Sequence, residues 1–469
     1  MKLPDASKIP PLIQLFQWIA DPIGYMEANA QRYGDIFTAQ LGKKSHSLVF
    51  VSNPQAIQKI LTNDTKQFTA PGELNRILQP LLGDYSVIMV DGDRHRRQRQ
   101  LLMPPFHGER MRSYGQLICD ITEKVINQLT PGKPFSARSV MQDISLQVIL
   151  QAVFGLHDSE AGAPKAGQGE RYQRLKQLIG EMLELFRNPL TSSFLFFPSL
   201  QRDLGPWSPW GYFRRQQRQI DELLYAELQE RREQPDPNRT DILSLLMSAR
   251  DEAGEPMTDV ELRDELLTLL FAGHETTATA MAWSLYWVHH LPEVGDKLLK
   301  ELDLADFSNP TSIVRLPYLT AVCQETLRIY PVGMLTFPRV PQEPVELMGY
   351  QLEPGTELVG CIYLTHQRED LYPEPKRFKP ERFLERQFSP YEFLPFGGGS
   401  RSCIGMALAQ YEMKLVLATI FSRYELTLAD NQPVRPQRRG VTLSPAGGVK
   451  MVLKGQRQRQ EQSIATSVR

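Results

Sequence analysis

The chain has 469 residues, 41% hydrophobic and 23% charged, with 53 Lys and Arg against 54 Asp and Glu for a formal charge of -1. That balance excludes a disordered or fibrous chain and gives no reason to expect nucleic acid or an anionic membrane as the main partner. Its four cysteines, Cys119, Cys323, Cys361 and Cys403, form neither a CxxC pair nor a zinc-like spacing, so a cytoplasmic protein without a disulfide framework is expected.

The first apolar stretch, Pro11 to Ala20, is too short to span a bilayer and lacks the flanks of a signal peptide. Ser47 to Val51 (SLVFV) reads as a short strand. Asp91 to Gln100 (DGDRHRRQRQ) is a basic run that, seen alone, would suit a nucleic-acid or localisation patch. Residues 158–170 read as a polar loop. Between Gln217 and Arg232, Ile220, Leu223, Leu224 and Leu228 form the stripe of an amphipathic helix.

The longest helix opens at Thr258 and Glu261, spaced as a capping box, and runs to His290, where Leu291-Pro292 stops it. At 1.5 Å per residue it is a rod of about 50 Å. It is apolar on nearly every face to either side of its middle, as a buried helix must be, yet its centre reads Ala272-Gly273-His274-Glu275-Thr276-Thr277. An interior Gly costs about 1 kcal/mol relative to Ala, and a buried carboxylate costs more unless partnered. The patch marks either a site or a kink with a solvated acid. Its charges, with Arg263, Asp264 and Glu265 upstream, exclude a membrane span.

Ten of the 35 prolines fall within residues 331–395, which therefore cannot be long helix. Within them Glu357 to Tyr363 (ELVGCIY) reads as a strand. The fold class is mainly α with small β-sheets. No repeat or Gly/Ser linker divides the chain, so a single domain over 1–455 and a polar, disordered tail over 456–469 are expected.

Phe393 to Met413 (FLPFGGGSRSCIGMALAQYEM) places Cys403 where a Gly-rich loop becomes a helix. Free backbone N–H groups and the positive end of a helix dipole favour a thiolate there, the form that ligates a metal. The other three cysteines sit in apolar runs and read as small buried hydrophobes. A phosphate loop would need Gly-Lys-Ser/Thr or GxGxxG, and GGGSRSCIG has neither.

Phe396, Gly399, Arg401, Cys403 and Gly405 reproduce the signature FxxGxRxCxG, and in this the chain resembles the cytochromes P-450, in which a Cys thiolate holds haem iron. Glu325 and Arg328 (ETLR), Arg382 (PERF) and the AGHETT run match three further motifs of that family, in its order. The resemblance spans essentially the whole chain. It implies a long central helix over haem b, with the Cys403 loop beneath it.

The same resemblance implies roles. Glu325, Arg328 and Arg382 would form a buried structural triad steadying the Cys403 loop, although taken alone the first two could be an exposed pair worth a few tenths of a kcal/mol. His95 and Arg99, one turn apart, would hold haem propionates with Arg339 and Arg401; many relatives carry Trp where His95 stands. The other arginines of the basic run would face solvent and meet an acidic electron donor. Thr276 would hydrogen-bond O2 bound opposite Cys403, Glu275 would relay protons, Gly273 would leave room for dioxygen, and Ala272 would share that site. Phe271, Val332, Leu335 and Phe337, with residues 68–90 and 443–446, would line an apolar pocket.

The implied activity is monooxygenation of a fatty acid, alkane or terpenoid, as in bacterial and particularly cyanobacterial relatives, with electrons from a ferredoxin or flavodoxin, since no FMN or NADPH motif is present. A monomer is expected. Phe194 to Pro198 (FLFFP) would touch a membrane surface or pack on the core. A haem sensor or carrier without turnover is the competing class; it would share Cys403 but would not need Glu275 and Thr276.

Overall fold

Apolar side chains on nearly every face of Asp259–His290 leave it one stable place, the middle of the protein. The computed structural model describes residues 3–41, 47–106, 109–156, 168–185, 201–205 and 208–457. Five of its helices carry the groups discussed below: α1 (Gly92–Leu102), α2 (Ala137–Phe154), α3 (Asp259–His290), α4 (Pro317–Ile329) and α5 (Met406–Arg423).

The start of α3 is fixed as its sequence implies. Thr258 Oγ1 accepts from the Glu261 N–H at 3.2 Å, and the Glu261 carboxylate accepts from the Thr258 N–H at 2.8 Å. The helix ends at Leu291, before Pro292. It packs against α2, α4 and α5 in one large apolar core that includes Leu266, Leu267, Met281 and Trp283.

Small sheets flank this helical mass. Strand β1 (Ile36–Ala39) pairs antiparallel with β2 (Leu48–Val51), which pairs in parallel with β4 (Glu357–Gly360); Val51 faces both Ile36 and Gly360. A second sheet joins β3 (Pro134–Ser136), β8 (Lys450–Gln456) and β5 (Tyr424–Leu428). Strands β6 (Pro436–Arg439) and β7 (Thr442–Pro445) form a hairpin. The mainly α architecture with small sheets is the expected one.

Local expectations needed three corrections. The strand expected over 357–363 stops at Gly360, because its partner β2 ends at Val51. Cys361 gives its N–H to the Val51 carbonyl at 2.7 Å, and the chain then turns into the short helix Ile362–His366. The polar loop expected over 158–170 is shorter at its end, where a helix begins at Gln168; residues 157–167 lie outside the described residues, as does the FLFFP segment. Paired chain also reaches past the expected border at 455, since β8 includes Gln456 and the Arg457 N–H bonds the Arg423 carbonyl at 2.8 Å. Among the described residues, no helix is long and apolar enough to cross a membrane.

Candidate active site

The segment from Phe396 to Cys403 closes on itself as a tight loop. The Cys403 N–H donates to the Phe396 carbonyl at 3.0 Å, and the Ser402 N–H to the Gly399 carbonyl at 3.1 Å. Gly399 must be glycine: its φ is +66°, and a Cβ there would stand 2.3 Å from a carboxylate oxygen of Asp64. That carboxylate organises the loop, accepting from the Ser400 N–H at 2.7 Å, Ser400 Oγ at 2.9 Å and Arg339 Nη2 at 2.9 Å. Sequence reasoning missed Asp64, which sits near the end of a short amphipathic helix and matches no motif.

Cys403 is solvent-accessible, yet it is surrounded by enough protein that burial pushes its thiol pKa up. Both hold together if the sulfur borders an internal hollow. The Gly405 N–H and the Arg99 charge act in the opposite direction, toward thiolate, but burial outweighs them. In the protein alone burial thus opposes ionisation, while the Gly405 N–H and Arg99 act toward the thiolate, as the helix terminus does. A bound metal cation overcomes that opposition, because a coordinating thiol gives up its proton outright.

The middle of α3 shows a matching feature. Ala272 is exposed although the helix around it is buried, so the same hollow can lie against this turn. Thr276, one turn on, is half-buried, and its Oγ1 donates to the Ala272 carbonyl at 2.6 Å. A Cβ on Gly273 would lie 2.9 Å from Ile149 Cδ1, so the glycine lets α2 approach this turn of α3.

Glu275 also faces α2. Its carboxylate pairs with Arg138, accepts from Gln142 Nε2 at 2.6 Å, and lies 3.7 Å from Arg439 Nε in the β6–β7 hairpin. The buried carboxylate that broke the helix pattern is thus partnered. Arg138 and Gln142 were not foreseen; both lie one turn apart in a helix that otherwise reads as core.

Four basic side chains converge beside the Cys403 loop. His95 is buried on α1, and its pKa falls to about 3, first through burial and then through the charges of Arg401, Arg99 and Arg339. Burial with the charges of Arg339 and Arg99 brings Arg401 down to about 10. Arg99 donates to the Ser402 carbonyl at 2.7 Å and to Ser402 Oγ at 3.2 Å. Arg339 is held by Asp64 and by the carbonyls of Phe337 and Gly398. Arg401 donates to the carbonyls of Ala70, Val87 and Val90, while its Nε is buried with no protein partner. This excess of positive charge could hold an anionic group.

Of the remaining arginines in the basic run, Arg94 and Arg96 are exposed as expected. Arg97 is not free to meet a partner protein: it bonds Asp251 at 2.5 Å, Glu261 at 2.9 Å and the Pro256 carbonyl at 2.9 Å.

Beneath the loop, Glu325 and Arg328 are fully buried and joined by two bonds of 2.6 and 2.8 Å. Arg382 Nε reaches the same carboxylate at 3.1 Å, and the Lys379 N–H adds a bond at 2.8 Å. Tyr372 lies under both guanidinium groups, 5.1 Å from that of Arg328 and 6.0 Å from that of Arg382.

The expected pocket segments are apolar and run together. Phe271 and Val332 are buried, Leu335 and Phe337 half-buried. The Leu443 N–H bonds the Val332 carbonyl at 2.9 Å, and Leu335 bridges to Cys361. Phe396 and Gly405 shape the ends of the Cys403 loop, Gly405 as the residue preceding α5.

Comparison with known proteins gives a consistent family. Residues 4–451 match the profile of the family described as Cytochrome P450. The chain is 35% identical over 468 residues to cytochrome P450 135B1 of Mycobacterium bovis, covering 100% of this chain and 94% of that one. It is 34% identical to cytochrome P450 135A1 of Mycobacterium tuberculosis, covering 97% and 96%. Among solved structures, the retinoic acid-bound cyanobacterial CYP120A1 has the same fold, with a TM-score of 0.80, 24% identity, and coverage of 97% and 99%. The haem domain of cytochrome P450DA superposes with a TM-score of 0.83 at 19% identity, covering 98% and 99%.

Proposed function

The chain belongs to the cytochrome P450 family, monooxygenases that use haem b, O2 and a redox partner, and we propose that it hydroxylates an apolar fatty acid, alkane or terpenoid with electrons from a separate ferredoxin or flavodoxin.

The residues fit haem. An accessible but deeply set cysteine lies beside three convergent guanidinium groups and the neutral ring of His95, and one of the three, Arg401, has a buried nitrogen without a protein partner. A flat macrocycle with two carboxylates answers both features. A Cβ on Gly405 would meet nothing within 4 Å, so the backbone there can border the ring. When bound, haem supplies the iron chemistry that activates O2 and oxidises the substrate C–H bond, with thiolate ligation favouring O–O cleavage.

In this reading Cys403 Sγ would hold the haem iron, on a loop fixed by the Cys403 and Ser402 N–H bonds to the carbonyls of Phe396 and Gly399. Arg99, Arg339 and Arg401 would neutralise the propionates, and the neutral His95 ring would donate a hydrogen bond to them. Glu325, Arg328 and Arg382 hold the chain beneath the loop. Thr276 Oγ1 can turn its proton from the Ala272 carbonyl toward the reaction centre. Glu275, whose carboxylate is held by Arg138, Gln142 and Arg439, is the acidic group on α3 assigned to the proton relay. Phe271, Val332, Leu335 and Phe337 bring almost no polar atoms to the substrate, which favours an apolar one.

The observation that carries the reading is the pairing of an accessible Cys403 with the cluster of Arg99, Arg339, Arg401 and His95. The reduced protein with carbon monoxide should show the strongly red-shifted Soret band of thiolate-ligated haem, and Cys403→Ser should lose it. A His-type band in the parent would overturn the assignment of Cys403. Titration with fatty acids, alkanes and sesquiterpenes, followed by the low-to-high-spin shift, identifies the substrate class.

A further inference from the structure

The loop over residues 83–90 is bonded along both edges. On one edge α3 holds it: the Tyr85 N–H donates to Asp264 at 2.8 Å, the Val87 N–H donates to Glu265 Oε1 at 2.7 Å, and Thr268 Oγ1 bonds Ser86 Oγ at 2.7 Å. On the other edge Arg401, two residues before Cys403, donates to the carbonyls of Val87 and Val90, each at 2.7 Å. Glu265, Thr268, Ala272 and Thr276 recur every three to four residues and share one face of α3. The loop therefore bridges from the Cys403 side to the face of α3 that carries Ala272.

Glu265 is the unusual member of this set. It is fully buried, and its second oxygen, Oε2, has no partner. The charges that reach it are the carboxylates of Asp264 and Glu261, both on its own helix, while the loop offers only the Val87 N–H. Neighbouring Arg263 is committed to Asp264 and Asp221. With no cation to compensate it, an ionised carboxylate here would be costly, and burial pushes the Glu265 pKa well above the ordinary range.

We propose that Glu265 is a proton-operated latch on the wall of the substrate compartment, pinning the 83–90 loop to α3 while it carries its proton and releasing the loop when that proton is lost. The assignment of this wall to a substrate compartment rests on the monooxygenase reading above; the latch itself rests on the bonds of Glu265. The direction follows from linkage. The closed state holds the proton more tightly than an open, hydrated one, so closure weakens as pH rises above the ordinary carboxyl range, by at most about 10-fold per pH unit.

The test is hydrogen exchange of the holoenzyme between pH 6 and 9, read as protection factors for the peptide covering 83–90 so that intrinsic base catalysis cancels. In the parent, protection should fall with pH. Glu265→Gln keeps an acceptor for the Val87 N–H without the acid; its protection should be flat and exceed the parent's at pH 8. Glu265→Ala should be poorly protected throughout. Carbon monoxide association with the reduced haem should quicken with pH in the parent and stay constant in Glu265→Gln. A Gln variant that follows the parent's slope, or an Ala variant as protected as the parent, would overturn the latch. The Soret band of the same carbon monoxide complexes tests the haem-thiolate reading separately.

Discussion

The backbone N–H of Leu394 donates to Nε2 of His366 at 3.0 Å, and this bond joins the buried Glu325–Arg328 pair to the loop that carries Cys403. On one side Arg328 Nη1 holds the His366 carbonyl at 2.8 Å; on the other, Leu394 lies two residues before Phe396, whose carbonyl holds the Cys403 N–H. Accepting at Nε2 requires the neutral ring, and burial with the nearby Arg328 charge brings the His366 pKa to about 3.

His366→Phe should keep the stack on Phe393 while stranding the Leu394 N–H, at a cost of about 1–3 kcal/mol in denaturant unfolding. It should also change the acid limb. The folded pKa lies below the ordinary 6.5, so the contribution of His366 is intact above pH 6.5 and is lost as pH falls toward 3. The stability of the variant should decline less steeply over that window, by at most about 1.4 kcal/mol per pH unit.

Arg328→Ala leaves the Glu325 carboxylate buried with only Arg382 to balance it. A loss of about 3–5 kcal/mol is expected, seen as reduced haem content and a lower unfolding midpoint. Arg382→Ala should cost less, because Arg328 keeps both of its bonds to Glu325.

Thr276→Ala removes the only hydroxyl that can turn from the Ala272 carbonyl toward the reaction centre on that turn of α3. Consumption of reductant should continue while product per electron falls and peroxide accumulates. Coupling equal to that of the parent would show that Thr276 does not handle the proton.

Glu275→Gln preserves shape and removes charge. Turnover should fall by about 100-fold, with a larger solvent isotope effect and an unchanged carbon monoxide spectrum. Arg138→Ala should give a smaller loss, since Gln142 and Arg439 still hold the carboxylate.

Glu412 is buried on α5 beside Ser145 of α2, and burial raises its pKa to about 8. A folded pKa above the ordinary 4.5 means that its contribution is present below pH 4.5 and lost as pH rises to 8. Glu412→Gln should therefore gain stability relative to the parent across that window, by at most about 1.4 kcal/mol per pH unit, as measured by denaturant unfolding at pH 5 and pH 8.

Local signals proved legible where one stretch of chain determines its own geometry. The capping box of Thr258 and Glu261, the stop at Pro292, and the loop-to-helix seam at Cys403 are all set by neighbours in sequence. Contacts between distant segments were not readable from spacing. Arg382 is 57 residues from Glu325, and only the family motif linked them beforehand. Asp64, Arg138 and Glu265 stayed hidden because a buried charge resembles a surface one until its partner is known. Gly273 shows a related limit: a glycine indicates that something approaches closely, without showing that one neighbour is Ile149.

The 83–90 wall is held at Tyr85, Val87 and Val90 through amide and carbonyl groups that every residue but proline shares. These bonds do not depend on which side chains stand at positions 87 to 90, although Val87 is packed in the large apolar core and Ile88 against it. Apolar substitutions of similar size there can alter packing while the hydrogen bonds persist, so the range of molecules accepted can drift one residue at a time without the wall losing its anchors.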